Sequence, residues 1–328
     1  MKVLVTGCSG YIGSALIETL LADPQYQVVG VDRVKPALLQ RPRFEFVQCD
    51  LSAPGGALDA PVFEGTDAVV HLAAARGDWA ISTAEYWRDN RDATAGLLAA
   101  TWARTVPRWV FTSSVSVYGP AATALGEDAD LRPIGAYGES KLASERLFAA
   151  FIADAGVKGR VIRPSAVFSA GHPANTNVYK LIESLRRFPL PLIGGGANRK
   201  TLTYLPNLLD LFFWCLDSMR DGGGAYEVFN YVEEPVQTVL ELITALKDAG
   251  ILPARHMSVP MPLALAAAYP VYAVAKLTGV DLRVTPERVR KYAASTWYDA
   301  TRVRQAGFVP RVGLAEALRV TAAWHLSR

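Results

Sequence analysis

The sequence of 328 residues predicts an α/β fold, a doubly wound parallel sheet followed by a smaller mixed α/β lobe. Three observations predict it. Short apolar runs alternate with helical patterns through the first half, the signature of strand–helix–strand units with parallel pairing. The first run ends in glycines at 7, 10 and 13, where a helical pattern begins. The alternation weakens beyond residue 165, and no Gly/Ser linker, repeat or charge run divides the chain. We therefore expect a first domain over 1–165 and a second lobe over 166–328, with some late segments returning to the first.

Composition excludes several classes. Hydrophobic residues make up 51% and charged residues 20%, so the chain is globular and not disordered. The formal charge of +3 comes without a basic run carrying interleaved aromatics, so no nucleic-acid partner is expected. Cys8, Cys49 and Cys215 are isolated and odd in number. They form neither a disulfide framework nor a metal pair, and they fit a reducing, cytoplasmic setting. A strand starting at residue 2 leaves no room for a signal peptide.

Taken in order, the elements have local reasons. Lys2 to Thr6 is a strand ending at Gly7. Gly7 permits the turn, Gly10 lets backbone approach a ligand with no Cβ in the way, and Gly13 lets the helix lie close on the strand. That helix, Tyr11 to Ala22, carries Ile12, Leu16 and Leu20 on an apolar face. Its first turn offers unpaired N–H groups and a partial positive charge to a pyrophosphate. The spacing is one residue longer than the common dinucleotide fingerprint. A second run, Val28 to Val31, ends in Asp32. A carboxylate there accepts hydrogen bonds from ribose hydroxyls and repels a 2′-phosphate, which favours NAD over NADP. Arg33 beside it keeps NADP open, and a strand-end turn is the other reading of Asp32.

Phe44 to Val47 is a third strand leading to Asp50 and Leu51, where Asp50 either meets an adenine amino group or caps a helix. Ala68 to Leu72 is a fourth, running into Ala73, Ala74 and Ala75, small residues that let a cofactor approach. His71 reads as a packed strand-end histidine. A helix is expected over Glu85 to Arg104, with Asn90 in its first half. Arg108 to Thr112 is a fifth strand ending at Ser113 and Ser114, and 115–120 reads as a loop. Tyr137 to Lys141 opens a helix that continues through Phe151, and Val157 to Arg163 is a strand closed by Pro164. Helical segments follow at Val178–Arg187, Leu208–Met219, Val239–Ala249 and Leu314–His325.

Tyr137 and Lys141 lie four apart and share a helix face. A free phenol titrates near pH 10 and is a poor base at neutrality, but a neighbouring ammonium favours the phenolate. Tyr137 then takes a proton from a substrate hydroxyl as hydride leaves the same carbon. Ser114 orients the substrate oxygen, and Lys141 also holds the nicotinamide ribose.

On these residues the chain resembles the extended short-chain dehydrogenase/reductases, of the NAD-dependent epimerase/dehydratase family. The resemblance rests on Thr6 to Gly13, Asp32, Asp50-Leu51, His71 to Ala74, Asn90, Ser113 to Gly119, Tyr137 to Lys141 and Arg163-Pro164. Tyr298 to Ala300 and Gly307 to Pro310 resemble the family's closing segment. It implies a Rossmann fold, NAD as cofactor and a homodimer. It implies Ser114, Tyr137 and Lys141 as catalytic. Around the cofactor it implies Gly7, Gly10, Tyr11, Ile12, Gly13, Asp32, Asp50, Leu51, Leu72, Ala73, Ala74, Asn90, Ser113 and Pro164.

The resemblance also narrows the reaction. Family dehydratases carry an Asp-Glu pair after the catalytic hydroxyl, where this chain has Val115 and Ser116. The Glu of the nucleotide-sugar decarboxylases is absent too. A UDP-hexose 4-epimerase or a nucleotide-4-keto-sugar reductase is left. Asn177, Arg199 and Lys200 fall in segments similar to those that meet the nucleotide diphosphate, and Arg76 and Ser116 are candidate sugar contacts. Arg163-Pro164-Ser165 departs from the aromatic-Asn pair of epimerases, which lifts the reductase. Two other classes stand beside these. One is an oxidoreductase on an apolar alcohol, similar to the 3β-hydroxysteroid dehydrogenases. The other is a non-catalytic NAD sensor, which has no use for the intact Ser114, Tyr137 and Lys141.

Residues 257–275 hold no charged residue but contain three prolines, Pro260, Pro262 and Pro270. We expect a buried or dimer-facing helix there, ahead of a membrane-surface or lipid-substrate element; a true span ranks last.

Overall fold

The computed structural model describes residues 1–328 apart from 38–40, 77–80, 172, 174–175, 188–191, 221, 252–257 and 279–284, and apart from the side chains at 56, 177, 184–187, 275–276, 278, 288 and 291. The fold grows from β1 (Lys2–Thr6), whose alternate side chains enter two different cores. Val3 and Val5 meet Leu16, Ile17 and Leu20 of α1 (Tyr11–Ala22) on one face. Leu4, on the other, joins Val29 and Val31 of β2 (Gln27–Asp32). A strand buried on both faces reads as a continuous apolar run, and this one does.

β3 (Phe44–Gln48) pairs with β2, and β4 (Ala68–His71) pairs with the opposite edge of β1. The expected helix after β4 is not continuous. α2 (Thr83–Tyr86) starts at a capping box of Ser82 and Glu85, a π-helical turn spans Trp87–Asp92, and α3 (Ala93–Leu98) ends well before Arg104. β5 (Arg108–Thr112) follows, then a 3₁₀ turn at Val115–Val117 in the stretch expected to be a loop, and β6 (Ala121–Leu125) just beyond it. The long helix α4 (Ala136–Ala155) covers the second face of the sheet with Phe148, Phe151 and Ile152, and β7 (Lys158–Pro164) pairs with β5.

The second half runs through β8 (Ala166–Phe168), α5 (Asn177–Arg187), β9 (Leu192–Ile193), β10 (Arg199–Lys200), β11 (Leu202–Tyr204) and α6 (Leu205–Arg220). α6 returns to cover the first face of the sheet, where Leu208, Leu211 and Phe212 join the core of Val3 and Val5. β12 (Tyr226–Tyr231) then adds to the free edge of β7. The seven-stranded order is β12-β7-β5-β4-β1-β2-β3, every pair parallel. Order reverses between β1 and β4, so a crevice opens at their carboxyl ends.

The remaining elements are β13 (Gln237–Thr238), α7 (Val239–Asp248), β14 (Ser258–Val259), α8 (Met261–Thr278), α9 (Pro286–Ala293), β15 (Thr296–Tyr298), α10 (Thr301–Gln305) and α11 (Leu314–Leu326). β13, β10, β15 and β6 form a four-stranded mixed sheet. A third core of Phe168, Ile182, Tyr204, Ile243 and Leu318 holds α5, α7 and α11 together.

The apolar stretch 257–275 corrects one expectation. Met257 lies outside the described residues, as does the side chain of Ala275. Ser258–Val259 form β14 and Met261 onward forms α8, which is largely exposed and not buried; Ala268 is its buried residue among those described. Among the described residues no helix is long and apolar enough to cross a membrane.

Candidate active site

The turn after β1 is built around missing side chains. Gly7 has φ +68°, and a Cβ there would lie 2.7 Å from the backbone nitrogen of Ala73. A Cβ on Gly13 would lie 2.2 Å from the Gly7 carbonyl oxygen. A Cβ on Gly10 would meet only that oxygen within 4 Å, at 3.1 Å. Gly7 and Gly13 thus serve close packing, while Gly10 faces the open side. Gly10 caps α1 without a side chain, and the first turn holds no acidic residue, so its N–H groups are available to an anion.

Asp32 accepts from the Ser9 N–H at 3.0 Å and the Val34 N–H at 3.1 Å, which fixes its carboxylate beside the glycine turn. Arg33 forks onto Asp89 at 3.1 and 2.9 Å and lies 3.7 Å from Asp50. A guanidinium committed to a carboxylate is poorly placed to take a 2′-phosphate. Asp50 accepts from the N–H and hydroxyl of Ser52. Partial burial works to raise its pKa, but Ser52 and Arg33 outweigh this and hold it below the usual range. Leu51 is buried in the second-face core, and Ile12 packs against the first.

A run of buried hydrogen bonds connects this turn to the Tyr137 helix. The hydroxyl of Thr6 accepts from the N–H groups of Leu72 and Ala73, both at 3.2 Å. Both its lone pairs are then used, so its proton goes to Nδ1 of His71, 2.6 Å away. His71 is therefore the Nε2–H tautomer and donates to Thr94 at 3.0 Å, whose own proton goes to the Asn90 carbonyl at 2.7 Å. Burial, and secondarily the Lys141 charge, push the His71 pKa down to about 3, in keeping with a neutral ring. Asn90, in the π-helical turn, accepts from the Ala75 N–H at 2.7 Å and donates to the Ser140 hydroxyl at 2.8 Å. Ser140 in turn donates to the Tyr137 carbonyl at 2.9 Å. His71 is the packed strand-end histidine that the sequence suggested, and the hydrogen bonds that Thr6, Thr94 and Ser140 add around it are not legible there.

Tyr137 and Lys141 lie one turn apart near the start of α4, and the Tyr137 ring rests 5.8 Å from that of Tyr86. Lys141 donates to the Thr112 carbonyl at 2.6 Å and lies 4.5 Å over the Phe111 ring. Burial lowers its pKa to about 8, against a smaller opposing pull from Glu145. Thr112 is two residues before Ser114, so the lysine is bonded to the strand end that carries the serine. Ser114 caps the 3₁₀ turn, accepting from the Ser116 N–H at 3.1 Å and donating to the Ser116 hydroxyl at 3.0 Å. Gly138 explains how α4 comes so close: a Cβ there would stand 2.6 Å from the Ser116 carbonyl oxygen. The Thr112 and Ser113 hydroxyls are buried without a protein partner at this edge. Orphaned hydroxyls, a side-chain-free turn and an uncapped helix start all fit a bound dinucleotide.

Other expected residues lie further out. Tyr11 donates or accepts at Ser169 over 2.7 Å, and Arg76 stands 5.9 Å from the Tyr11 ring centre. Pro164 ends β7, paired with Tyr231. Arg199 donates to the Val236 carbonyl at 2.6 Å and stacks on Trp297, and Lys200 donates to the Ala294 carbonyl at 2.6 Å. These contacts lie along the four-stranded sheet β13-β10-β15-β6. Asn177 begins α5, and its side chain lies outside the described residues.

A parallel sheet with this turn at its switch point defines a dinucleotide-binding α/β protein. The chain belongs to the NAD dependent epimerase/dehydratase family, whose model matches residues 3–230, and it is an NAD-dependent enzyme of the extended short-chain dehydrogenase type. It is 31% identical over 321 residues to the N-acetyl-alpha-D-glucosaminyl-diphospho-ditrans,octacis-undecaprenol 4-epimerase of Escherichia coli O157:H7, covering 97% of this chain and 93% of that one. It is 30% identical over 337 residues to the 2-alkyl-3-oxoalkanoate reductase of Stenotrophomonas maltophilia (strain K279a), covering 97% and 98%. Among solved structures, MoeE5 in complex with UDP-glucose and NAD superposes with a TM-score of 0.76 at 28% identity, covering 100% of this chain and 99% of that one.

Proposed function

We propose that this chain is a 4-epimerase acting on a sugar held through a diphosphate, with Tyr137 as general acid and base. The observation that carries the reading is the bond from Lys141 to the Thr112 carbonyl, which ties the Tyr137 helix to the strand end bearing Ser114. Ser114 orients the C4 oxygen, Tyr137 removes its proton, and the Lys141 ammonium stabilises the phenolate that does so. NAD held beside Tyr137 would supply reversible hydride chemistry at C4. Tyr137 gives the proton back to the same oxygen, so no net oxidation results. The glycine turn and the first turn of α1 hold the pyrophosphate, and Asp32 holds the adenosine ribose.

The departure at Arg163-Pro164-Ser165 speaks for the reductase, but the epimerase is preferred because the E. coli relative, matched over 97% of this chain, is a 4-epimerase. Both the polyprenol-linked substrate named for the E. coli relative and the UDP-glucose bound to MoeE5 are sugar diphosphates, which supports that substrate class. The homodimer that the resemblance implies and the cytoplasmic setting that the isolated cysteines fit belong to the same reading. The Stenotrophomonas maltophilia relative supports a second one, net reduction of a carbonyl on an apolar substrate.

Two measurements test the proposal. Protein purified without added cofactor is expected to release near-stoichiometric NAD on denaturation; an empty site with free exchange would favour the reductase. Tyr137→Phe is expected to lower turnover at least about a thousandfold, the scale of a lost acid/base, with NAD still bound. Substantial surviving epimerisation would overturn the assignment.

A further inference from the structure

α8 is the element whose chemistry and surroundings disagree. Leu263, Ala267, Pro270, Val274 and Leu277 recur at i, i+4, i+7, i+11 and i+14, one stripe of the helix, and all are exposed. Leu263 is 62% exposed, Val274 51% and Leu277 87%. The inward stripe around Ala268 is apolar as well. An exposed apolar stripe of this extent marks a contact surface.

Three observations identify what covers it. Eighteen residues make about 27 Å of helix, and with one side of it against protein it lies along a surface and does not cross one. Tyr269 is exposed at the flank of the stripe, presenting an apolar ring and a polar hydroxyl where hydrocarbon gives way to headgroups. α9 packs along α8, and its sequence holds three cations, Arg288, Arg290 and Lys291, against the single anion Glu287. Arg290 donates to the Tyr269 hydroxyl at 3.1 Å, which sets a cation at the edge of the apolar stripe. An apolar face flanked by Tyr269 and the Arg290 cation is complementary to an anionic lipid bilayer.

This surface is bonded to the substrate lobe. Asn198 donates to the Tyr292 carbonyl at 3.1 Å, Lys200 to the Ala294 carbonyl at 2.6 Å, and the Arg199 N–H to the Ser295 hydroxyl at 3.2 Å. The end of α9 is thus joined to β10 and its two basic residues. We propose that α8 docks the protein on a lipid bilayer and that the sugar it acts on is carried by a membrane lipid diphosphate. The inference rests on the reading of the site as a sugar-diphosphate 4-epimerase and names the carrier.

The test uses the full chain with its bound cofactor. Vesicles of equal parts phosphatidylcholine and phosphatidylglycerol are floated with the protein, and epimerisation is assayed separately on a UDP-sugar in solution and on a polyprenyl-diphosphate sugar in the same vesicles. Wild-type protein is expected to float, less so as salt is raised. Leu263→Glu/Leu277→Glu is expected to lower vesicle binding at least about tenfold, with the NAD content unchanged. Leu277→Trp is a second probe independent of any loss: its emission is expected to shift to the blue on adding vesicles. Absence of flotation and of the blue shift overturns the docking, even if the enzyme epimerises soluble sugars. Conversion of a dimer to monomers by the double Glu variant, seen by light scattering, overturns it in favour of a second copy. Turnover of the UDP-sugar with none of the lipid-linked sugar overturns the carrier. Flotation with no epimerisation of either substrate leaves the docking standing and removes the reading of the site.

Discussion

Lys141 shows at the scale of one residue how the site trades stability for chemistry. Its ordinary pKa of 10.5 is lowered to about 8, so the folded state disfavours the charge that the unfolded chain carries freely. The penalty is in full force below pH 8 and fades as pH rises toward 10.5, where both states lose the proton. Its ceiling is about 3 kcal/mol, and the bond to the Thr112 carbonyl offsets part of it. We expect Lys141→Met to stabilise the cofactor-free protein by about 1 kcal/mol at neutral pH, by calorimetry, with the gain vanishing above about pH 10. Turnover should fall at least about a hundredfold. His71 has the opposite pH signature. Held neutral when folded but protonated below pH 6.5 when unfolded, it withdraws stability on acidification, by up to about 1.4 kcal/mol per pH unit down to about pH 3. In His71→Gln the acid limb of the stability profile should be shallower by that slope; an unchanged limb would mean the ring takes its proton in the folded state.

At the scale of an element, the question for α4 is what lets a helix start beside the Ser114 turn. Gly138→Ala brings about 1 kcal/mol of helix propensity, but its Cβ would stand 2.6 Å from the Ser116 carbonyl and 2.9 Å from Pro133 Cβ. Overpacking of that kind costs about 1–3 kcal/mol, so the clash wins and the helix moves off the turn. Turnover should fall about ten- to a hundredfold with NAD content little changed, separating position from cofactor binding. A glycine inside a strong helical pattern was visible in the sequence, and so were the turn, Asp32 and the Tyr137–Lys141 spacing, because each depends on residues within one or two turns of itself. The π-helical turn at Trp87–Asp92 was not. It places Asn90 between Ala75 and Ser140, and nothing local distinguishes it from an ordinary helix. β6 and β12 were missed for a similar reason, since their pairing partners lie far away in sequence.

For the whole molecule, a buried cluster connects the central sheet to the four-stranded sheet. Arg163 at the end of β7 forks onto Glu145 of α4 at 2.9 and 2.6 Å and donates to Tyr118 at 2.6 Å. Tyr118 donates to Asn230 of β12, whose amide reaches the carbonyls of Leu125 and Asp299. Glu145→Gln leaves the guanidinium underpaired in the core and should cost about 3–5 kcal/mol, read as a lower urea midpoint; Glu145→Leu with Arg163→Met should recover most of that. A single Gln variant as stable as the parent would show that the cluster contributes little to stability. The position of β12 has a consequence for how the chain is made. β7 emerges from the ribosome with one edge bare, and the strand that covers that edge is separated from it by all of residues 165–225. At 5–20 residues per second that interval lasts about 3–12 s, during which Val161 and Ile162 sit in an uncapped parallel edge. Nascent protein of this sequence is thus a client for chaperones until Tyr231 has been synthesised, and the first 165 residues expressed alone keep that edge permanently.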